Sequence, residues 1–258
     1  MALICFLIVL VATTAGALTG VGGGVIIKPA MDMLGQYDAA TIGILSSLTV
    51  LTMSIVSIGK HIRQRTKINL RIALVLAIGS VAGGWIGDAL LGCVIAAVSN
   101  TTVVMLQNIL LGLLLLGVFA YMQCKSKVPS LHAKRTVAGL LTGIVAGAIS
   151  TFLGIGGGPI NVAVLLFVFS MDTKSAAVNS IITIFFSQVS KLFTVFARGG
   201  FASYDLAVLP AMLVAAVIGG WLGAKLNKQM PEAKVELVFN LVQSVVILIC
   251  VRNIVVNM

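Results

Sequence analysis

Eight long apolar runs, separated only by short polar or basic stretches, leave this chain with almost nothing from which to build a water-facing surface. They fall at about Ala2–Leu34, Ala39–Gly59, Leu70–Leu91, Val103–Met122, Thr136–Phe169, Ser175–Ala197, Leu206–Leu226 and Val235–Val256. Only 9% of the 258 residues are charged, against about 25% in a soluble domain. The solvent that suits such a chain is lipid, and the pattern predicts an all-α polytopic integral membrane protein. It excludes a soluble enzyme, a nucleic-acid module and a disordered tail, although a net charge of +10 would otherwise suggest a polyanionic partner. At ~20 residues per crossing, no length remains for a separate extramembrane domain.

The first and fifth runs are too long for one crossing, and each is interrupted by glycines. At an offset of 134 residues, Gly20-Val21-Gly22-Gly23-Gly24 lies over Gly154-Ile155-Gly156-Gly157-Gly158, and the same offset carries Asp38 onto Asp172, Ser46 onto Ser180 and Thr49 onto Thr183. At an offset of 136, Gly83-Gly84-Trp85-Ile86-Gly87 lies over Gly219-Gly220-Trp221-Leu222-Gly223, and these hold both tryptophans of the chain. Two clusters in the same order at nearly the same spacing predict a duplication: an N-terminal repeat over 1–128 and a C-terminal repeat over 129–258, together forming one membrane domain. Residues 1–17 end in Ala15-Gly16-Ala17, which looks like a signal-peptidase site. There is no cationic stretch before it, however, and Ala146-Gly147-Ala148 recurs ahead of the second glycine cluster. The segment is therefore expected to stay in the mature protein.

The paired Gly-Val-Gly-Gly-Gly and Gly-Ile-Gly-Gly-Gly-Pro segments, each early in one half of a small duplicated hydrophobic chain, resemble the sulfite exporter TauE/SafE family of membrane transporters. The resemblance covers essentially the whole chain. It implies secondary transport of a small sulfur-containing anion such as sulfite, thiosulfate or a sulfonate like sulfoacetate, in a prokaryotic cytoplasmic (inner) membrane. It leaves open which anion is carried, in which direction and with which coupling ion.

Each glycine-broken run is either a single crossing, which gives both halves the same orientation, or a hairpin of two half-helices, which inverts them. Basic residues arbitrate, because they accumulate on the cytoplasmic side. Hairpins put Lys60, Arg63, Arg65, Lys67, Arg71, Lys125, Lys127, Lys134, Arg135, Lys174, Lys225, Lys228 and Lys234 on one side, 13 of the 17 cations, whereas single crossings collect 11. The larger count favours inverted repeats, each a glycine-broken hairpin plus three transmembrane helices.

Unwound backbone inside a membrane is tolerated only where it is buried in protein or lines a cavity. A half-helix starting after Gly24, or after Gly158 with Pro159 in its first turn, points free N–H groups and a partial positive charge back at the break. That is an anion-binding arrangement. The candidate substrate-binding residues are therefore Gly22, Gly23 and Gly24 with Gly156, Gly157 and Gly158, joined by Asn161, whose counterpart is Ile27. Ser46 and Thr49 share a helix face, and Asn179, Ser180, Thr183 and Ser187 form a longer polar stripe with Gln188 beside it. These are neutral donors that bind an oxyanion without burying a carboxylate. Close helix packing and interhelical hydrogen bonding are the structural alternatives for both sets. They are the favoured reading for the two Gly-Gly-Trp segments, so alanine at Gly23 or Gly157 is expected to impair transport more than at Gly83 or Gly219.

Lys28 and Lys191 are the cations nearest the membrane interior. Each has the length to snorkel to an interface, and either would attract an anion if it faced the cavity. None of the acids Asp32, Asp38, Asp88, Asp172, Asp205, Glu232 and Glu236 is placed at the centre of a run, which argues against a carboxylate relay and for an anionic substrate. Cys5, Cys93, Cys124 and Cys250 stand apart and read as packing residues. His61 and His132 fall in basic loops, where a solvated or headgroup role is expected. No metal, cofactor or catalysed reaction is implied, and the partners expected are the anion and membrane lipid. An anion channel, or less readily a membrane scaffold or enzyme, is the competing function.

Overall fold

The computed structural model describes residues 1–66, 68–125, 136–197 and 199–257, with Thr136 and Asn257 described by backbone only. The expected repeat boundary at 128/129 lies outside the described residues, as do His132 and the cations Lys67, Lys127, Lys134, Arg135 and Arg198. The described residues form ten helices and no strand: α1 (Ala2–Thr19), α2 (Gly24–Leu34), α3 (Ala39–Arg63), α4 (Leu70–Ala97), α5 (Asn100–Cys124), α6 (Thr136–Phe152), α7 (Gly158–Phe167), α8 (Thr173–Ala197), α9 (Leu209–Gln229) and α10 (Glu232–Asn257). Seven of them, all but α2, α6 and α7, are long and apolar enough to cross a membrane. The protein is an integral membrane protein, and Leu3, Leu7, Ile55, Phe193, Phe196 and Leu248 are among the large apolar side chains it exposes outward.

Local chemistry sets where helices start and stop. Gly20 ends α1 in the left-handed conformation (φ 76°), its N–H bonded to the Gly16 carbonyl, a geometry that glycine adopts without a Cβ penalty. Asp38 caps α3 by accepting from the Ala40 and Thr41 N–H groups, Asn69 caps α4 from Ile72, and Ser99 caps α5 from Thr102.

Both glycine-broken runs fold back on themselves. Cys5 Sγ lies 3.9 Å from Met31 Sδ, while a Cβ built on Gly23 would come 3.0 Å from Thr13 Cγ2, so α2 returns antiparallel along α1. In the second half, a Cβ on Gly139 would stand 3.1 Å from Phe169 Cζ, and one on Gly157 3.5 Å from Ser150 Oγ. The arms are unequal, contrary to the expectation of two half-helices: 18 and 11 residues in the first hairpin, 17 and 10 in the second. At 1.5 Å per residue the long arms reach about 26 Å and the short arms about 16 Å. The glycine clusters stand nearer the C-terminal end of each run, so the tips lie deep and only the returning arms are half-helices.

The hairpins are clamped by helices from the opposite half. Helix α1 packs on α9, and α6 packs on α4. Both pairings run parallel: a Cβ on Gly219 would press on Thr13 and Leu10, one on Gly223 on Thr14 and Ala17, and the corresponding contacts of Gly79, Gly83 and Gly87 step from Leu140 to Ala148. Helices α5 and α10 pack antiparallel, with Asn108 against Asn253 at one end and Lys125 against Glu236 at the other. Trp85 and Trp221, beside these glycine stripes, are 62% and 43% exposed, and the Lys60 and Lys225 ammoniums lie 4.7 and 5.3 Å from the Trp221 ring centroid. Small residues inward and an amphipathic ring outward is the pattern of a close-packed helix pair near an interface.

Two smaller expectations are corrected. Only Cys5 and Cys250 are buried, while Cys93 and Cys124 are exposed on the outward faces of their helices. His61 is fully buried at the end of α3, with Nδ1 3.3 Å from Thr66 Oγ1, because α3 runs on past Gly59 and takes the basic stretch with it.

A topology measurement follows from the fold-back. In a background without the native cysteines, Ala2→Cys and Gln36→Cys should react with an impermeant thiol reagent from the same side of sealed vesicles. Labelling from opposite sides would mean that the run crosses outright.

Candidate functional site

The two breaks cross each other in the interior. Gly24 lies against the Ile155 backbone, and Gly158 lies against the Val21 backbone so closely that a Cβ would overlap the Val21 carbonyl oxygen. The contact is reciprocal, since Gly24 and Val21 correspond to Gly158 and Ile155 at the 134-residue offset. Gly20, Gly22, Gly154, Gly156 and Gly157 all have positive φ, between 70° and 100°, which side chains other than glycine rarely adopt. Gly23 does not: at φ −62° it is ordinary helical backbone.

Neither returning helix has a side-chain cap, its N-cap residue being Gly23 for α2 and Gly157 for α7. The leading N–H groups of both helices, Pro159 having none, therefore lack a side-chain acceptor, and the two positive helix ends meet at the buried crossing against the Val21 and Ile155 carbonyls. Around them stand amide side chains. Asn161 Nδ2 lies 2.7 Å from the Cβ position of Gly157, and Gln188 Nε2 is packed against Gly156. Both residues are 2% exposed, and Asn161 Oδ1 and Gln188 Oε1 have no hydrogen-bond partner. A buried, half-satisfied amide costs free energy unless something completes its bonding.

The expected polar stripe is present, but its hydroxyls are largely committed. Ser180 Oγ donates to the Gly20 carbonyl at 2.7 Å, tying α8 to the first break. Thr49 Oγ1 donates to Leu45 O (2.7 Å) and Thr183 Oγ1 to Asn179 O (3.2 Å), the back-bonding habit of helical threonines. Asn179 Nδ2 donates to Ser175 O, and its Oδ1 accepts from the Asn69 N–H, joining α8 to the start of α4. Ser46 is buried with its Oγ 3.2 Å from the Cβ position of Gly24. The crossing thus gathers Gly22, Gly23, Gly24, Gly156, Gly157, Gly158, Asn161, Ser46 and Ser180. Ser187 and Lys191 instead line a separate cavity of about 10 Å³ with Ser80, Asp88, Thr151, Ser190 and Thr194, room for about one water.

Neither lysine snorkels. Lys191 Nζ donates to Gly43 O at 3.1 Å, crossing from α8 to α3. Lys28 is 2% exposed and paired with Asp32, and its stem lies along Gly154, whose Cβ position is 3.1 Å from Lys28 Cδ and Cε. As expected from the sequence, Asp32 is not at the centre of its run, but it is buried all the same, because the chain turns back before it and packs the end of α2 among α1, α3 and α10. Sequence reading also missed Asn108, Asn253 and Gln107. Asn108 and Asn253 bond to this acid and its helix, and Gln107 Nε2 donates to Phe152 O at 2.6 Å beside the second break. Their only signals were the adjacent Gln107 and Asn108 in one apolar run and Asn253 beside Arg252 in another.

Outside the crossing, a cleft of about 390 Å³ is lined by Asn69, Ser170, Asp172, Ser175 and Asn179. It adjoins, through Ser175, a second of about 180 Å³ with Arg65, Lys174 and Lys228. Lys174 and Lys228 donate to backbone carbonyls there rather than to acids. Burial would raise the Asp172 carboxyl, but its hydrogen bonds from Ser175 outweigh that and hold it below its ordinary range. The mouth is basic, with an ionised N-cap at α8.

The sulfite exporter TauE/SafE family model matches residues 5–249. The chain belongs to that family. It is 26% identical over 254 residues, covering 90% of this chain and 91% of the relative, to the probable membrane transporter protein YunE of Bacillus subtilis (strain 168). It is 31% identical over 109 residues, 40% of this chain and 16% of the relative, to the probable membrane transporter protein MamO of Paramagnetospirillum magneticum. A TauE/SafE protein is a membrane transporter, and membrane transport is the function class of this chain.

The close approaches reverse part of the expected alanine series. A Cβ on Gly83 or Gly219 would overlap Ile144 or Thr13 on the facing helix, so these are not mild controls. Gly59, in α3 with nothing within 4 Å of its Cβ position, is. Gly24→Ala and Gly158→Ala should lose more than the roughly 1–3 kcal/mol typical of overpacking, read as failure to purify monodisperse or a large drop in melting temperature, while Gly59→Ala melts like wild type.

Proposed function

We propose that this TauE/SafE protein is a secondary transporter of a small sulfur-containing anion, sulfite, thiosulfate or a sulfonate such as sulfoacetate, that works by alternating access in a bacterial-type inner membrane and catalyses no reaction. The observation that carries the proposal is the meeting of two uncapped helix starts, those of α2 and α7, across one buried crossing. Two positive helix ends brought together in low dielectric repel each other, and an anion between them removes the repulsion. The Asn161 Nδ2 and Gln188 Nε2 groups, which lie beside Gly157 and Gly156, supply amide donors that orient an oxyanion, and the family name points to sulfur oxyanions. The halves, 1–128 and 129–258, are read as inverted repeats. The exchanged packing of α1 on α9 and α6 on α4, with α5 antiparallel to α10, supports this.

Carrier is favoured over channel by the closed crossing: Gly24 lies against the Ile155 backbone and Gly158 against the Val21 backbone, and the polar cavity lined by Ser187 and Lys191 has room for about one water. In this reading Gly22 to Gly24, Gly156 to Gly158, Asn161, Ser46 and Ser180 contact the anion. Thr49, Asn179, Thr183, Ser187, Lys28 and Lys191 contribute from the surrounding shell once the crossing opens.

The test is uptake of radiolabelled sulfite, thiosulfate, sulfoacetate, sulfate and acetate by purified protein in liposomes. Saturable uptake of at least one sulfur oxyanion, accelerated by unlabelled anion on the far side, is expected; linear flux without countertransport would establish a channel. Asn161→Ala should lower affinity about tenfold to a hundredfold, the worth of a hydrogen bond to a charged group, and Gly23→Ala, which keeps its N–H, should lower it by obstructing close approach of the anion. Gly59→Ala should not. Unchanged affinity in folded Asn161→Ala and Gly23→Ala would remove the anion from the crossing.

A further inference from the structure

The Lys28 ammonium lies 3.0 Å from Asp32 Oδ2, and the two side chains are 2% and 1% exposed. Asn108 Nδ2 of α5 donates to the same Asp32 oxygen at 3.2 Å. Asn253 Nδ2 of α10 is 3.2 Å from Asn108 Oδ1 and 3.0 Å from the Pro29 carbonyl. At the 134-residue offset, the second half has the buried apolar side chains Val162 and Leu166 in place of Lys28 and Asp32. The fold is thus built once with the ion pair and once without it, so the architecture does not require the pair. Desolvating two charges is costly, and inside a membrane such residues mark ion or proton pathways.

The pair sits where transported charge must be balanced. Lys28 is one turn into α2 from the break, its stem against Gly154 of the other break, and Asp32 is one turn further on, two residues before α2 ends. An anion at the crossing meets an ammonium already neutralised by a carboxylate, so its own charge is uncompensated in low dielectric. A proton on Asp32 frees the ammonium to face the anion and lowers the negative charge of the loaded site by one, to neutrality for a monoanion and to a single net charge for a dianion such as thiosulfate. A sodium ion would have to take the place the ammonium already holds.

We propose that Asp32 is the proton-binding site that couples anion movement to proton movement, the Lys28 ammonium passing from Asp32 to the anion as the carboxyl protonates. The inference rests on the transport reading above and names its coupling ion. The proton leaves water on the loading side, bonds to an Asp32 oxygen and returns to water on the other side. Lys28 stays an ammonium throughout, and nothing is oxidised or reduced. The other ionisable groups around the pair are few. Helix α1 brings Cys5, against Met31; α10 brings the Cys250 thiol, and α8 brings Lys191, which feels the charges of both Lys28 and, from α4, Asp88. Arg252 of α10 is exposed, α7 carries no ionisable group, and Lys60, His61 and Arg63 of α3 and Tyr121 and Cys124 of α5 lie at the far ends of their helices. At the near end of α3, Asp38 is committed to the Ala40 and Thr41 N–H groups, and Asp32 is the carboxylate with which Lys28 forms its ion pair among the described residues.

The experiment uses the full chain in liposomes with a lumenal pH dye, the membrane potential clamped at zero, and radiolabelled thiosulfate, or sulfoacetate if thiosulfate is not exchanged. Wild type should acidify the lumen as the anion enters, and a one-unit pH gradient should change anion accumulation about tenfold, the factor one pH unit represents. Asp32→Asn, which keeps the shape and the Asn108 contact, should retain exchange at equal pH and lose both proton effects; Asp32→Glu should keep them. If Asp32→Asn does not fold, Lys28→Val with Asp32→Leu, which strands neither charge, is read for protons moved per anion, expected to be none. Anion entry without acidification in wild type, or proton coupling that survives in either neutral variant, overturns the inference and leaves the transport reading standing. A wild type that exchanges none of the five anions overturns the transport reading and this inference with it.

Discussion

Everything in this protein is arranged around the backbone contact between two helix breaks. A break inside a membrane exposes N–H and C=O groups that lipid cannot satisfy. Here each break is covered by the other, Gly24 against Ile155 and Gly158 against Val21, and by side chains sent from neighbouring helices: Ser180 to the Gly20 carbonyl and Gln107 to the Phe152 carbonyl. Each break is covered only in part by its own half, by Ser46 beside Gly24 and by Asn161 and Gln188 beside Gly157 and Gly156. The hairpin α1–α2 is held by α9, and α6–α7 by α4, through glycine faces that admit backbone-to-backbone packing. A half taken alone would present both a partly uncovered break and an unpartnered glycine stripe.

The same contact sets the electrostatics. The starts of α3, α4 and α5 are quieted by Asp38, Asn69 and Ser99, whereas α2 and α7, like α1 and α9, have no side-chain cap, and α2 and α7 begin at buried glycines. Their dipoles point at one place, and the chemistry collected there is unequal: amides, Asn161 and Gln188, at the second break, and a buried charge pair, Lys28 and Asp32, extending from the first. A pseudo-symmetric frame thus holds an asymmetric interior. That fits a site in which one side orients an anion and the other answers its charge.

The helices, the paired breaks and the family were legible in the sequence because they rest on features local in the chain: apolar run length, glycine clusters and their spacing. The interior of the site was less legible. Asp32 looked peripheral because it stands near the end of an apolar run, and only the fold-back at Gly20–Gly23 makes that end a buried position. Thr49 and Thr183 share a helix face with possible ligands, but spacing does not reveal that their hydroxyls already donate to their own helix. The glycines divide in a way that residue type hides. Gly24 and Gly158 are required by contact, Gly22 and Gly156 by φ, and Gly23 by neither as severely, its Cβ position being 3.0 Å from a threonine methyl.

The packing also limits how such a molecule could open. The α1–α9 and α4–α6 interfaces bring backbone against backbone at several successive turns, and such interfaces shift as blocks because close-packed surfaces do not deform continuously. Each block joins one hairpin arm to a helix of the other half. In alternating access, motion of one block against the other must therefore shear the place where the hairpin tips cross. The contacts broken first would be Gly24 with Ile155 and Gly158 with Val21, the same contacts that close the converging N–H groups off from an anion. Access to the site and separation of the blocks are then one event, and the cost of parting the breaks falls when an anion takes over the N–H groups they leave exposed.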